Sequence, residues 1–261
     1  MASVWILALA LFAGAQSASA TSRIVGGNAA RVEDYPSIVQ VEFQNIFSQI
    51  WSQSCAGSIL TRKYILSAAQ CFSGSNYRPY LRRIRAGSST RNVGGVLAYV
   101  EDAFNHESFG SLGSEGDISV VRLTTPLIYT PVVQQAGIIR QGTVIPDNLP
   151  VTYAGWGFTS ASGNASTVLL VTSVFTVNNT VCAERYASLP EEVPVTKNMI
   201  CAGLLDIGGR DACFGDSGGP LYYNDVVIGV ISSGIGCGNA TYPAISMSVA
   251  SYTDWILSIA V

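Results

Sequence analysis

Histidine is all but missing from this sequence, with His106 alone among 261 residues. Lysine is nearly as scarce: Lys63 and Lys197 are the only two, and the other cations are arginines. No CxxC pair occurs. These absences exclude the common zinc sites, which cluster Cys and His side chains, and no metal or cofactor is expected. Charged residues make up 12% of the chain, with a net charge of −3 and a pI near 5.1. Nothing here builds the basic surface that neutralises nucleic-acid phosphates. Arginine in place of lysine suits an alkaline fluid, where lysine loses its charge and arginine keeps it.

Long apolar runs are missing as well. The one candidate, residues 4–15 (VWILALALFAGA), is too short to span a bilayer. Small residues follow it, including Ala18-Ser19-Ala20, so residues 1–20 read as a signal peptide and residues 21–23 as a short propeptide. The product is expected to be secreted, extracellular and monomeric, with no membrane partner. No internal repeat, low-complexity tract or linker divides the remainder.

What the sequence does contain is short β-rich runs broken by Gly, Asn, Ser and Pro. Examples are residues 37–43 (SIVQVEF), 57–66, 117–123 (DISVVRL), 150–154, 168–177 and 226–232 (VVIGVIS). Many alternate apolar and polar residues, the period of a half-buried strand. The 26 glycines suit the tight turns between them. Only residues 251–260 (SYTDWILSIA) read as a helix, with Tyr252, Trp255, Ile256 and Ile259 on one face. An all-β double barrel or sandwich closed by a terminal helix is the expected architecture.

Six cysteines, Cys55, Cys71, Cys182, Cys201, Cys213 and Cys237, fit an oxidising compartment. They allow fifteen pairings, and spacing does not choose among them. Three N-x-S/T sequons, at Asn164, Asn178 and Asn239, also suit a secreted chain.

Chemistry concentrates in residues 211–220 (DACFGDSGGP). A serine nucleophile needs its oxygen exposed on a tight turn and backbone N–H groups aimed at the developing oxyanion. Ser217 meets the first need, and the N–H groups of Gly215 and Ser217 meet the second. Gly218 and Gly219 allow close backbone approach.

With these residues in view, the chain from Ile24 to its C-terminus resembles the trypsin-type members of the chymotrypsin family, insect digestive enzymes among them. Arg23-Ile24-Val25-Gly26-Gly27 is similar to the family's activation junction. Gly155-Trp156-Gly157 is similar to a motif of its second barrel, and residues 117–123 to the strand that bears the triad aspartate. The resemblance implies one protease domain over residues 24–261, folded as two six-stranded antiparallel barrels with a C-terminal helix and the site between them. It implies the disulfides Cys55–Cys71, Cys182–Cys201 and Cys213–Cys237. It assigns Ser217 as nucleophile, Asp117 as orienting aspartate, and Gly215 with Ser217 as oxyanion hole. Asp211 becomes the carboxylate that receives an Arg or Lys side chain, with Ser232, Gly234 and Ala244 around it. Asp216 becomes the partner of the Ile24 amino group after an activating trypsin-like protease cuts at Arg23.

The chain departs from the family pattern at three places. Gln70, in residues 67–74 (SAAQCFSG), stands at the position of the general base. A serine hydroxyl is a weak nucleophile until a base takes its proton, and an amide has no useful basicity. Ala244 stands where glycine is expected, and Ser233 where an aromatic wall residue is expected. His106, placed by the resemblance on a surface loop, is not expected to replace the missing base. The arginines Arg78, Arg82, Arg83, Arg85 and Arg91 lie where a calcium loop would need paired carboxylates. The expected function is that of a catalytically impaired protease homologue that binds peptides, inhibitors or proteins. The alternative is an active endopeptidase cleaving after Arg or Lys.

Overall fold

The computed structural model describes residues 25–191 and 193–260. The proposed signal peptide, Arg23 and Ile24 therefore lie outside the described residues. The first six long strands are β1 (Ile38–Gln44), β2 (Trp51–Ile59), β3 (Tyr64–Ser67), β4 (Arg82–Ala86), β5 (Val96–Asn105) and β6 (Ser119–Leu123). They close into a barrel in the order β1-β2-β3-β6-β5-β4. The next six are β7 (Pro150–Gly155), β8 (Leu170–Val177), β9 (Met199–Gly203), β10 (Pro220–Tyr223), β11 (Val226–Ser233) and β12 (Ala244–Ser248). They close in the order β7-β8-β9-β12-β11-β10. The second barrel thus repeats the connectivity of the first, six strands later, although the sequence shows no repeat. The helix α2 (Val249–Ile259) follows.

Alternation explains most strands. In β8 the even-numbered residues from Leu170 to Thr176 are buried and Ser173 and Phe175 are exposed, as one face packs and the other meets water. Two expectations are corrected. Residues 57–66 are not one strand: Leu60 and Thr61 both donate backbone N–H groups to Tyr64 O, at 2.9 and 3.1 Å. The chain reverses there and makes the hairpin of β2 and β3. Nor is the last helix the only one. Asn179–Ala187 forms α1, capped by Asn178, whose side-chain oxygen accepts from Thr180 N and Val181 N. Such a cap satisfies N–H groups that a helix start leaves unpaired.

The three disulfides pair as the resemblance implied: Cys55–Cys71, Cys182–Cys201 and Cys213–Cys237. The first lies in the first barrel's half of the chain and the other two in the second's. Between the halves run hydrogen bonds, among them Ala56 N to Ser217 O at 2.9 Å, and one cluster of buried apolar side chains continues from the first into the second.

Candidate active site

A cleft of about 240 Å³ opens between the barrels, with Gln70 on the first and Asp211, Ser217, Ser232, Gly234 and Ala244 on the second. Residues separated by up to 174 positions in the chain meet there. Ser217 sits in the second of two successive tight turns, in which Asp216 N donates to Cys213 O and Gly219 N to Asp216 O, each at 2.9 Å. Gly218 has φ +82°, and a Cβ added there would fall 2.2 Å from Ser67 Oγ and 2.5 Å from Ala56 O. Only glycine lets the loop lie this close to the first barrel. Neither the Gly215 nor the Ser217 N–H has a protein acceptor among the described residues.

Gln70 follows β3 on the short turn Ala69–Phe72, which the Cys55–Cys71 disulfide anchors. Its backbone N donates to Asp117 Oδ1 at 2.8 Å. Its side-chain Nε2 donates to Asp117 Oδ2 at 2.6 Å and to Ser232 O at 2.9 Å. An amide nitrogen has two hydrogens, and both are engaged. The remaining atom, Oε1, is an acceptor without basicity, and Gln70 makes no hydrogen bond with Ser217. Asp117 is buried and also accepts from Ser232 Oγ at 2.6 Å. Burial raises its pKa, and the hydrogen bonds from Ser232, Gln70 and Ala69 oppose that rise. The sequence reading placed Ser232 only on the pocket wall, and the bond from its hydroxyl to Asp117 is an additional contact.

Asp211 lies deeper in the cleft and is 5% exposed. Its Oδ2 accepts from Gly238 N at 2.9 Å, while Oδ1 is buried with no partner among the described residues. Buried polar atoms are seldom left unpaired, so this oxygen has capacity for a further donor. Burial pushes the Asp211 carboxyl up to about 7, against opposing backbone hydrogen bonds. Ala244 lines the same cleft beside Gly234: a Cβ added at Gly234 would lie 3.6 Å from the Ala244 Cα and 3.8 Å from its Cβ. Ser233 bonds Ser114 Oγ across the barrels at 3.0 Å.

Asp216 is fully buried, and burial raises its pKa to about 6. Its carboxylate accepts from Gly157 N at 2.8 Å and Cys213 N at 3.0 Å. This explains Gly155-Trp156-Gly157 physically: a Cβ on Gly155 or Gly157 would lie 2.0 or 2.3 Å from an Asp216 oxygen. Among the described residues no lysine or arginine pairs with Asp216.

His106 is held away from the cleft. Its ring stacks edge-on against Tyr252 and Trp255, each at 4.9 Å, and Nδ1 bonds Ser108 Oγ at 2.8 Å. Most of the arginine run is consumed within the first barrel. Arg83 and Arg85 donate to buried Glu42 at 2.6 and 2.5 Å, and Arg82 lies 3.7 Å over the Phe43 ring.

The sequence profile of the Trypsin family matches residues 24–256. The chain is 38% identical to alkaline trypsin C of Manduca sexta over 251 residues, covering 96% of each. It is 37% identical to trypsin CFT-1 of Choristoneura fumiferana over 252 residues, again 96% of each. It is 38% identical to achelase-1 of Lonomia achelous, over 80% of this chain and 95% of that one. With its paired six-stranded barrels and this cleft, the chain belongs to the trypsin-like serine proteases of the chymotrypsin family.

Proposed function

We propose that this chain is a secreted trypsin-like protein that still receives a basic side chain at Asp211 but cleaves peptide bonds with severe impairment. One observation carries the reading: both N–H groups of the Gln70 amide are engaged by Asp117 and Ser232, and only a non-basic oxygen remains. In this reading Asp117 orients a group that cannot take the Ser217 proton. In another serine protease, loss of the triad base costs ~10⁶-fold in kcat, about 8 kcal/mol of barrier. The Oδ1 of Asp211, unpaired among the described residues, supports retained binding. A charge-assisted hydrogen bond to an ammonium or guanidinium is the strongest contact such an oxygen can make. The partners are peptides, protein inhibitors or proteins that present Arg or Lys. Cleavage at Arg23 by another trypsin-like protease would free the Ile24 amino group to pair with Asp216.

The rival reading, an active endopeptidase, is favoured by the relatives, which bear the names of trypsins. Ser217, Asp117 and Asp211 are the residues such an enzyme would use. The test is kcat/KM on one Arg peptide amide for the activated protein, for Gln70→His and for Gln70→His with Ala244→Gly. Binding of benzamidine, a small amidinium ion, is measured alongside. The binding reading expects benzamidine affinity in all three, turnover only where histidine is restored, and more turnover in the double variant. Turnover by the unmodified protein within about tenfold of the double variant, less than 1.4 kcal/mol apart, establishes the active protease instead.

A further inference from the structure

Arg91 is the one member of the arginine run with a role beyond the first barrel. Its Nε donates to Gln53 Oε1 at 2.7 Å, and its Nη2 to Gln53 O at 2.6 Å. Gln53, on β2, is 1% exposed. A cation holds its side-chain oxygen, so its amide nitrogen must face the other way. That nitrogen donates to Cys55 O at 3.0 Å and, across 162 residues of sequence, to Gly215 O at 2.7 Å. Both amide hydrogens are thereby used. The clamp is itself braced: Gln53 N donates to Asn92 Oδ1 at 2.7 Å, and Asn92 N to Gln40 Oε1 at 2.8 Å.

The object of the clamp is a peptide plane. Gln53 holds the carbonyl of the Gly215–Asp216 peptide, and Cys213 O holds its N–H at 2.9 Å. Gly215 has φ +97°. Glycine tolerates many other conformations at little cost, so this one persists only if something outside the residue selects it. The Gly215 N–H itself belongs to the preceding Phe214–Gly215 peptide, whose carbonyl accepts from Phe158 N at 2.8 Å. With that plane held on one side of Gly215 and the clamped plane on the other, the φ and ψ of Gly215, and so the direction of its N–H, are set from both sides.

We propose that Gln53, oriented by Arg91, is a positioning residue that aims the Gly215 N–H at the negative charge developing on a carbonyl joined to Ser217. The proposal rests on the trypsin-like reading of Ser217 and Gly215, and it is independent of whether Gln70 disables the chain.

The first arm uses the otherwise unchanged activated protein. Crystal structures of it and of Gln53→Glu are compared. Glutamate keeps the shape and the Arg91 contact but sets an acceptor against Gly215 O, so the Gly215–Asp216 peptide should rotate. An unmoved peptide overturns the proposal. The second arm uses Gln70→His as background. There Gln53→Glu should lower kcat by about 10²-fold, the effect of losing one oxyanion donor. KM and benzamidine affinity should stay within about twofold, since Asp211 is untouched. Arg91→Ala should act in the same direction more weakly, and Gln53→His, which retains an N–H donor, should recover most of the loss. If KM rises and benzamidine affinity falls along with kcat, Gln53 only supports the fold and the assignment fails. If Gln70→His shows no turnover, the missing-base reading falls, and the crystallographic arm alone decides this one.

Discussion

The carboxylate proposed to receive a basic ligand should destabilise the unliganded protein, and Asp211→Asn measures by how much. Burial lifts Asp211 from an ordinary 3.8 to about 7. The folded state therefore holds this proton more tightly than the unfolded state. Stability from this group is greatest at low pH and falls as pH rises from about 4 to about 7, after which it levels off. The difference corresponds to ~4 kcal/mol above pH 7. Asparagine keeps the shape, can still accept from Gly238 N, and carries no charge. Asp211→Asn should thus match the wild type at pH 4 and exceed it by ~4 kcal/mol at pH 8.5. At 2–4 °C per kcal/mol for a chain of this size, the Tm gain is roughly 8–16 °C. The assay is denaturant unfolding followed by tryptophan fluorescence, with disulfides intact, at both pH values. Benzamidine should raise wild-type stability at pH 8.5 through binding linkage and leave the variant unmoved. Its affinity for the wild type should fall as pH drops below about 7. A stability difference that changes by less than about 1 kcal/mol between the two pH values refutes the reasoning.

Other outcomes follow from single contacts. Gly157→Ala drives a methyl against the Asp216 carboxylate, 2.3 Å from Oδ2; it should cost ~1–3 kcal/mol in unfolding measurements and weaken benzamidine binding. Ser232→Ala removes a 2.6 Å bond to buried Asp117 and should cost ~2 kcal/mol by the same measurement. Asn178→Ala removes the cap of α1 and should cost ~1 kcal/mol without any change in benzamidine affinity. Limited trypsin digestion followed by N-terminal sequencing should yield Ile24 and leave the domain whole. Tm should then rise, because the new ammonium pairs with Asp216; a different terminus or an unchanged Tm sinks that pairing.

Alternation and turn residues made the all-β class and several strands legible, because burying one face of a sheet imposes a period of two on the chain. The β2–β3 reversal was hidden because its turn, Leu60-Thr61-Arg62-Lys63, contains no Gly, Pro, Asn or Asp to mark it. Helix α1 escaped because it buries only Cys182 and Tyr186, too few for a visible stripe. Its start signal, Asn178, doubles as a glycosylation sequon and so does not point to a helix alone. Gln70, Asp211 and Ser217 were recognisable because short motifs flank them. Gln53 was not: its partners are supplied by the fold, and no local pattern distinguishes it from any other strand glutamine.

The separate stapling of the two barrels leaves no covalent tie between them except the chain itself. All three disulfides close within one half or the other, so the segment from Thr124 to Leu149 is the sole covalent link. Across the cleft the halves share hydrogen bonds such as Gln53 to Gly215, Gln70 to Ser232 and Ser114 to Ser233, together with one continuous cluster of buried apolar side chains. A single cut in the linking segment would therefore leave two pieces joined by packing alone. They would travel together in native buffer and part in denaturant without any reductant, each keeping its own disulfides.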